Sequence, residues 1–559
     1  VIEKAKGEFT VSNILQPNEG VYQLDDYQSR YHTFRWEDNE WFNKKKINAA
    51  YETIDRHVEE GHGEKTALHY INQQQHQTLT FKEVQDHVDH YVQILRANHV
   101  KKGDRVFIFL PKNPDCYVAI LATIRIGAIA GPLFEGFMGD AVHDRINDCQ
   151  GKLLITDKEL GQRIDRQQVP SIETVLYQED ISDQVTQGDR YVEWLDADDG
   201  MLIHYTSGST GKPKGVLHAH RAVSHHALTG KWVLDIHDHD IYWCTSHPGW
   251  VTGSVYGLFA PWLNRATIVI QAGRFKAEDW YQIIEQLGVT IWYSAPTAFR
   301  LLMSKGDLYA NYNLASLRHV LSVGEPLNPE VIHWAFREWH LRIHDTWWMT
   351  ETGGHLIVNL PSQPIKPGSM GRPFPGIEVG ILDEAGQVLP RGTVGQLAVK
   401  TSWPGLMKTI WNNESKYQEY FRYPGWYVSG DLAYQDDDGY VFFQGRNDDM
   451  INSSGERIGP FEVESSLIEH PAVAEAGVIG KPDPIRGEIV KAFITLRSDY
   501  VVSNTLIEEI RQHVRKRLAA HAAPKEIEVV DQLPKTKISG KILRRELKQR
   551  EHDRISMSS

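Results

Sequence analysis

Hydroxyls, glycines and lysines crowd the stretch Tyr205-Thr206-Ser207-Gly208-Ser209-Thr210-Gly211-Lys212-Pro213-Lys214-Gly215, which offers an anion many hydrogen-bond donors over a short span. A Walker phosphate loop carries Ser or Thr directly after its lysine. Here Lys212 is followed by Pro213, which lacks an amide donor, so the stretch is either another kind of nucleotide loop or a flexible polar surface turn. The apolar run Met201 to Tyr205 reads as a buried strand and His220 to Leu228 as a helix, which puts the donors at a strand-to-helix turn.

Other clusters carry chemistry of the same kind. Gly324-Glu325-Pro326 and the run from Asp345 through Trp347, Trp348 and Glu351 to Gly354 follow strand-like segments. Asp431 ends another such segment, just before the hairpin signal Asp436-Asp437-Asp438-Gly439, which lacks the spacing of a calcium loop. Lys541 lies among Lys535, Lys537, Arg544 and Arg545, a pattern that by itself describes a solvated basic face. His218, His220, His225, His226, His237 and His239 have no carboxylate or cysteine at ligand spacing and read as solvated helix and turn histidines.

The elements that position these clusters alternate. Strand-like Thr66 to Ile71 leads to Thr80, which with Glu83 forms a capping box for a helix whose apolar face is Val84, Val88, Tyr91, Val92 and Leu95. Strands at 105–110, 153–156, 267–271, 289–294 and 320–323 continue the pattern, giving an α/β fold with mostly parallel sheets, whose ligands bind at strand carboxyl ends. After Gly368 short strands and Gly/Pro turns imply a small β subdomain. A polar segment at 445–449 then precedes a compact α+β pattern, with an amphipathic helix presenting Leu506, Ile510, Val514 and Leu518. The expected division is a large domain at 1–447 and a smaller, mobile one at 448–559. Before the large body, Tyr31, Phe34, Trp36, Trp41 and Phe42 read as anchors of an N-terminal arm.

At 559 residues with 41% hydrophobic composition the chain is long enough for more than one core. A net charge of −13 disfavours nucleic acid and anionic membrane as general partners. The three cysteines, Cys116, Cys149 and Cys244, are too few and too far apart for a disulfide framework and read as buried thiols of a soluble, cytoplasmic protein.

Taken in order, the Tyr205–Gly215 loop, Gly324-Glu325-Pro326, Asp345 to Gly354, Tyr427-Val428-Ser429-Gly430-Asp431, Gly445-Arg446 with Arg457, and Pro534 to Lys541 make the chain resemble the acyl-adenylate-forming enzymes, most closely the AMP-forming acetate:CoA ligases among them. The resemblance implies that acetate is activated by ATP to acetyl-AMP and then passed to CoA. It also implies site roles. Thr206, Ser207, Gly208, Ser209, Thr210, Gly211 and Lys214 would hold the β- and γ-phosphates, with Glu351 on Mg²⁺. Gly324, Glu325, Pro326, Asp345, Thr346, Met349 and Thr350 would line the nucleotide, Trp347 would flank adenine, and Asp431 would accept the ribose hydroxyls. Arg446 and Arg457 would reach ribose or phosphate. Lys541 would contact the acyl carboxylate and α-phosphate from the mobile domain, swung about Asp448. Its acetylation, by an acetyltransferase opposed by a deacetylase, would remove the required charge.

Val251, Thr252, Val323 and Trp348 would form a short acyl pocket, Trp348 standing where medium-chain relatives place glycine. Thr252, Ser454 and Lys516 would contact CoA, with departures: Lys516 occupies a phosphate-binding arginine position, without the bidentate fork, and Glu456 a histidine position. A ligase for propionate, butyrate or longer acids, an enzyme handing its acyl-AMP to another acceptor, and a non-catalytic nucleotide-binding regulator on the same fold are the competing readings.

Overall fold

The computed structural model describes residues 14–39, 41–73, 75–181, 189–206, 213–446, 449–453, 456–483, 486–518, 520–535 and 542–558. Ser207, Gly208, Ser209, Thr210, Gly211, Asp448, Ser454 and Lys541 lie outside them, as does the side chain of Arg457.

Two large sheets form the body. One has nine strands, and its central part is parallel: Ile343–Trp347, His319–Val323, Ile291–Ser294, Ile241–Cys244, Thr267–Gln271 and Thr66–Ile71 in that spatial order. These strands are short and mostly buried, as strands of parallel sheets covered on both faces are. The other has seven strands, with Gly200–Thr206 beside Ile129–Pro132 and Arg105–Phe109. The capping box forms as expected: Glu83 N–H donates to Thr80 Oγ1 at 3.2 Å and Thr80 N–H to Glu83 Oε2 at 2.7 Å, opening the helix Phe81–Ala97. The arm is anchored where Trp36 Nε1–H donates to the Gly376 carbonyl at 3.1 Å, with Phe34 packed edge-on against it.

The β subdomain is an antiparallel sheet of Val379–Leu382, Gly395–Lys400, Trp426–Gln435 and Val441–Arg446. Beyond it, five strands between Ile451 and Val529 form their own sheet, flanked by the helices Pro460–Glu469 and Asn504–Arg517. All three cysteines are buried thiols.

Three expectations change. The phosphate-loop segment does not lead directly into a helix: Lys214–Ala219 is a strand that runs antiparallel to Gly200–Thr206, pairing Thr206 with Lys214, and the helix begins only at Ala222. Val216 and Leu217 have a packed sheet face to occupy, which a run this short cannot announce. Leu518 is 38% exposed because the helix ends at Arg517, and Leu506, Ile510 and Val514 alone face inward. His218, His220, His225 and His226 are buried, not solvated; the helix Ala222–Trp232 is enclosed on nearly all sides. Burial lowers His225 to about 4 and His220 to about 3, keeping both neutral at physiological pH. The neutral rings clamp backbone: His225 Nε2–H donates to the His355 carbonyl at 2.9 Å and His226 Nε2–H to that of Gly353 at 2.8 Å.

Candidate active site

The parallel sheet delivers its strand ends to one place. After Val323, Gly324 turns the chain at φ +91°, a left-handed conformation that favours glycine. Glu325 then points aside, accepting from Thr297 Oγ1 at 2.8 Å and from the Arg300 guanidinium at 2.8 Å, which fixes the Gly324–Pro326 turn. The next strand, Ile343–Trp347, runs directly into Trp348 and the Met349–Gly354 turn. That turn closes tightly on Gly353, whose φ is +69° and where a Cβ would sit 1.9 Å from the Gly405 carbonyl oxygen.

Asp431 and Arg446 meet because they stand opposite each other in the antiparallel ladder, with Asp431 Oδ1 and Arg446 Nη1 3.3 Å apart. Trp347 Nε1–H donates to Asp431 Oδ2 at 2.9 Å, so two residues expected on the nucleotide also hold one another. Thr206 Oγ1, the last described hydroxyl before the loop, is buried and without a hydrogen-bond partner among the described residues.

Across the hairpin, Lys214 Nζ lies 2.7 Å from Glu351 Oε1. Tyr420 OH donates to the same oxygen at 2.9 Å and also contacts Lys214 Nζ. Burial pushes the Glu351 carboxyl up, but the Lys214 ammonium outweighs it and leaves the pKa below the usual value, so Glu351 is ionised. Burial acts unopposed by any cation on Asp345, raising it to about 8 and keeping it neutral near pH 7. Of the two acids in this motif, Glu351 is thus ionised and Asp345 neutral. A hard anionic oxygen beside phosphate donors suits Mg²⁺, which takes one or two carboxylates and completes its shell with phosphate and water oxygens.

Trp348 is buried in the apolar cluster that also contains Val323, with Val251 packed on that cluster; Thr252 is half-buried on the short helix Val251–Ser254. Lys516 is exposed on the last turn of Asn504–Arg517. The residues that the sequence did not single out are Tyr420, Arg300, Thr297 and the tyrosines and histidine around Trp348. All but His355, which directly follows the Asp345–Gly354 run, lie far along the chain from the motifs they support, and no local pattern marks them.

The smaller unit meets this site where Asn328 Nδ2–H donates to Ser465 Oγ at 2.9 Å and Phe443 packs edge-on against Phe461. Within the smaller unit, Arg544 is held by Glu464, with Nε to Oε1 at 2.9 Å. Ile542 and Arg544 line a crevice together with Arg300, Glu325 and Pro326.

The two-part fold, the Asp431–Arg446 pair and the Lys214–Glu351 pair beside a glycine-rich hairpin define a nucleotide-dependent adenylating enzyme. The family model described as AMP-binding enzyme matches residues 54–411, and that of the AMP-binding enzyme C-terminal domain matches 462–541. An acetyl-coenzyme A synthetase of Bacillus subtilis (strain 168) is 56% identical over 95% of this chain and 96% of its own length. The crystal structure of a Brucella canis acyl-CoA synthetase matches with a TM-score of 0.73 at 34% identity, covering 95% of this chain and all of that one. An anthranilate CoA ligase solved with anthranoyl-AMP gives a TM-score of 0.85 at 28% identity, over 93% of this chain and 99% of its own. The chain belongs to the AMP-binding enzyme family, among its AMP-forming acetyl-coenzyme A synthetases.

Proposed function

We propose that this chain is an acetate:CoA ligase whose acyl selectivity is set by Trp348. The observation that carries the proposal is the compactness of Trp347–Glu351: five consecutive residues supply the anchor of Asp431, the buried Trp348 indole and the ionised carboxylate beside Lys214.

In the first half-reaction an acetate oxygen attacks the α-phosphorus of ATP, forming the acyl–phosphate bond and breaking the bond to pyrophosphate. Two anions must approach, so cations and donors at the hairpin and at Arg446 offset the growing charge. Mg²⁺ bound with ATP would be held by Glu351 and would neutralise phosphate oxygens. Lys214 bridges Glu351 in the free enzyme and would exchange that partner for phosphate oxygens. Lys541 supplies charge to the acyl carboxylate and α-phosphate. Its placement there is supported by Ile542, the next residue, which shares a crevice with Glu325 and Pro326.

In the second half-reaction the CoA thiol attacks the acyl carbon and AMP leaves. Rotation of the 448–559 domain about Asp448 would exchange Lys541 for the face that bears Ser454, so one pocket serves both steps. Thr252 and Lys516 complete the reading on the CoA side. Acetylation of Lys541 would silence the first step by removing its charge, with an acetyltransferase and a deacetylase as the partners.

The test is acid-dependent pyrophosphate release with acetate, propionate, butyrate and octanoate, with and without CoA. Acetate should give the highest kcat/KM, with propionate lower by about 10- to 200-fold, the range that one methylene is worth. Octanoate outrunning acetate would refute the assignment of Trp348, and no acetate-dependent release would refute the function. Lys541→Ala should lose adenylation while still converting supplied acetyl-AMP and CoA to acetyl-CoA.

A further inference from the structure

Trp348 can set a pocket's depth only if its indole is held against the rocking that a longer acid would favour. Its Nε1–H donates to Tyr293 OH at 3.3 Å, and both rings are buried. Tyr293 has two further polar contacts, Thr346 Oγ1 at 2.7 Å and His355 Nε2 at 2.8 Å.

The protons in this cluster can be assigned in full. Thr346 Oγ1–H donates to the Ser322 carbonyl at 2.7 Å, which uses its only proton. Thr346 therefore accepts from Tyr293, which uses the phenol's only proton. His355 Nε2 must then carry hydrogen and donate to Tyr293, so the phenol oxygen accepts from both the indole and the imidazole. His355 Nδ1 is correspondingly bare and has no hydrogen-bond partner among the described residues. Burial supports these states, raising the phenol's pKa well above its ordinary value and lowering the imidazole's well below. The imidazole is itself fixed. It stacks on Tyr256 with centroids 3.8 Å apart and planes 10° apart, and its backbone N–H donates to Tyr256 OH at 2.7 Å. Tyr256 also meets Trp348 edge-on at 5.0 Å.

We propose that Tyr293, oriented by Thr346 and by the Nε2-protonated tautomer of His355, is a specificity-determining positioning residue: it holds Trp348 as a rigid floor and so sets the discrimination between a two-carbon and a three-carbon acid. The proposal rests on the acetate-ligase reading. In this proposal Tyr293 and His355 act through the indole, which Tyr293 contacts directly.

The experiment measures kcat/KM for acetate and propionate, by pyrophosphate release, in the unaltered enzyme and in Tyr293→Phe, His355→Leu, His355→Gln, Trp348→Phe and the Tyr293→Phe/Trp348→Phe pair. Tyr293→Phe and His355→Leu should each lower the acetate-over-propionate ratio by about threefold or more. The change should come mainly from a lower KM for propionate, not from kcat. His355→Gln keeps an N–H donor at the corresponding atom and should restore most of the ratio. In the Trp348→Phe background there is no indole N–H to hold, so adding Tyr293→Phe should move the ratio by less than twofold.

Equal losses for both acids, or a Tyr293→Phe effect undiminished in the Trp348→Phe background, would overturn the inference. Should Tyr293→Phe fail to fold, the contrast between His355→Leu and His355→Gln decides the matter by the same ratio. An active unaltered enzyme whose variants keep its ratio would overturn this inference alone. An unaltered enzyme with no acid-dependent release would overturn the acetate-ligase reading and this inference with it.

Discussion

Asp345 and Glu351 stand six residues apart and end in opposite charge states, for a reason that can be tested. The strand Ile343–Trp347 buries Asp345, raising its carboxyl from 3.8 to about 8. An unfolded chain ionises this group near pH 4, so between about pH 4 and pH 8 the folded protein retains a proton that the unfolded one has released. The stability contributed by this residue therefore falls as pH rises through that window. Asp345→Asn removes the titration. The variant's Tm should exceed that of the unaltered protein by a margin that grows from pH 5 to pH 8 and closes toward pH 4. A flat margin would mean that Asp345 is ionised in the fold. The sequence placed both acids in one motif but could not assign their charges, because the deciding partner of Glu351, Lys214, is 137 positions away and is brought in by a strand that the chain does not advertise.

At the scale of elements, legibility followed locality. The Thr80–Glu83 box was readable because both hydrogen bonds lie within four residues, and the parallel strands because their apolar runs are bounded by small and polar residues. The hairpin after Thr206 was not, since its second strand is specified by pairing across the sheet and not by its own pattern. The buried histidines were misread for a similar reason: imidazoles near one helix look solvated until neighbouring backbone carbonyls are seen to accept from His225 and His226 and the Ala49 N–H to donate to His220. The Met349–Gly354 turn shows how such support reaches the site. It is clamped by His226 at the Gly353 carbonyl and pressed on Gly405 where Gly353 has no Cβ. Gly353→Ala meets both a left-handed backbone and a collision with main chain, and should cost about 1–3 kcal/mol of stability or more. Because the same turn carries Glu351 and follows Trp348, acetate-dependent pyrophosphate release should fall by ~100-fold. Full activity with unchanged Tm would show that the turn relaxes freely.

For the molecule as a whole, the question is what the seam between the larger and smaller parts permits. Polar and apolar contacts cross it: Asn328 donates to Ser465 at 2.9 Å, and Phe443 meets Phe461 edge-on with ring centroids 5.8 Å apart. Interfaces between domains of one chain exchange at modest cost, which suits the proposed turning of the smaller domain between two half-reactions. In the observed arrangement Ile542 lines a crevice with Glu325 and Pro326, which supports the proposal that this is the adenylating orientation. A tether across the seam should then separate the steps. The double variant Asn328→Cys with Ser465→Cys places thiols on side chains already in contact, and the three native cysteines are buried, so oxidation or a short bis-maleimide should join the new pair selectively. Tethered enzyme is expected to retain acetate-dependent exchange of pyrophosphate into ATP while acetyl-CoA formation falls by ~10-fold or more. For the disulfide form, reduction should restore the second step. If tethering abolished exchange but spared thioester formation from supplied acetyl-AMP, the observed arrangement would be the thioester-forming one. If both steps continued at full rate, rotation of the smaller domain about Asp448 would not be required for the reaction.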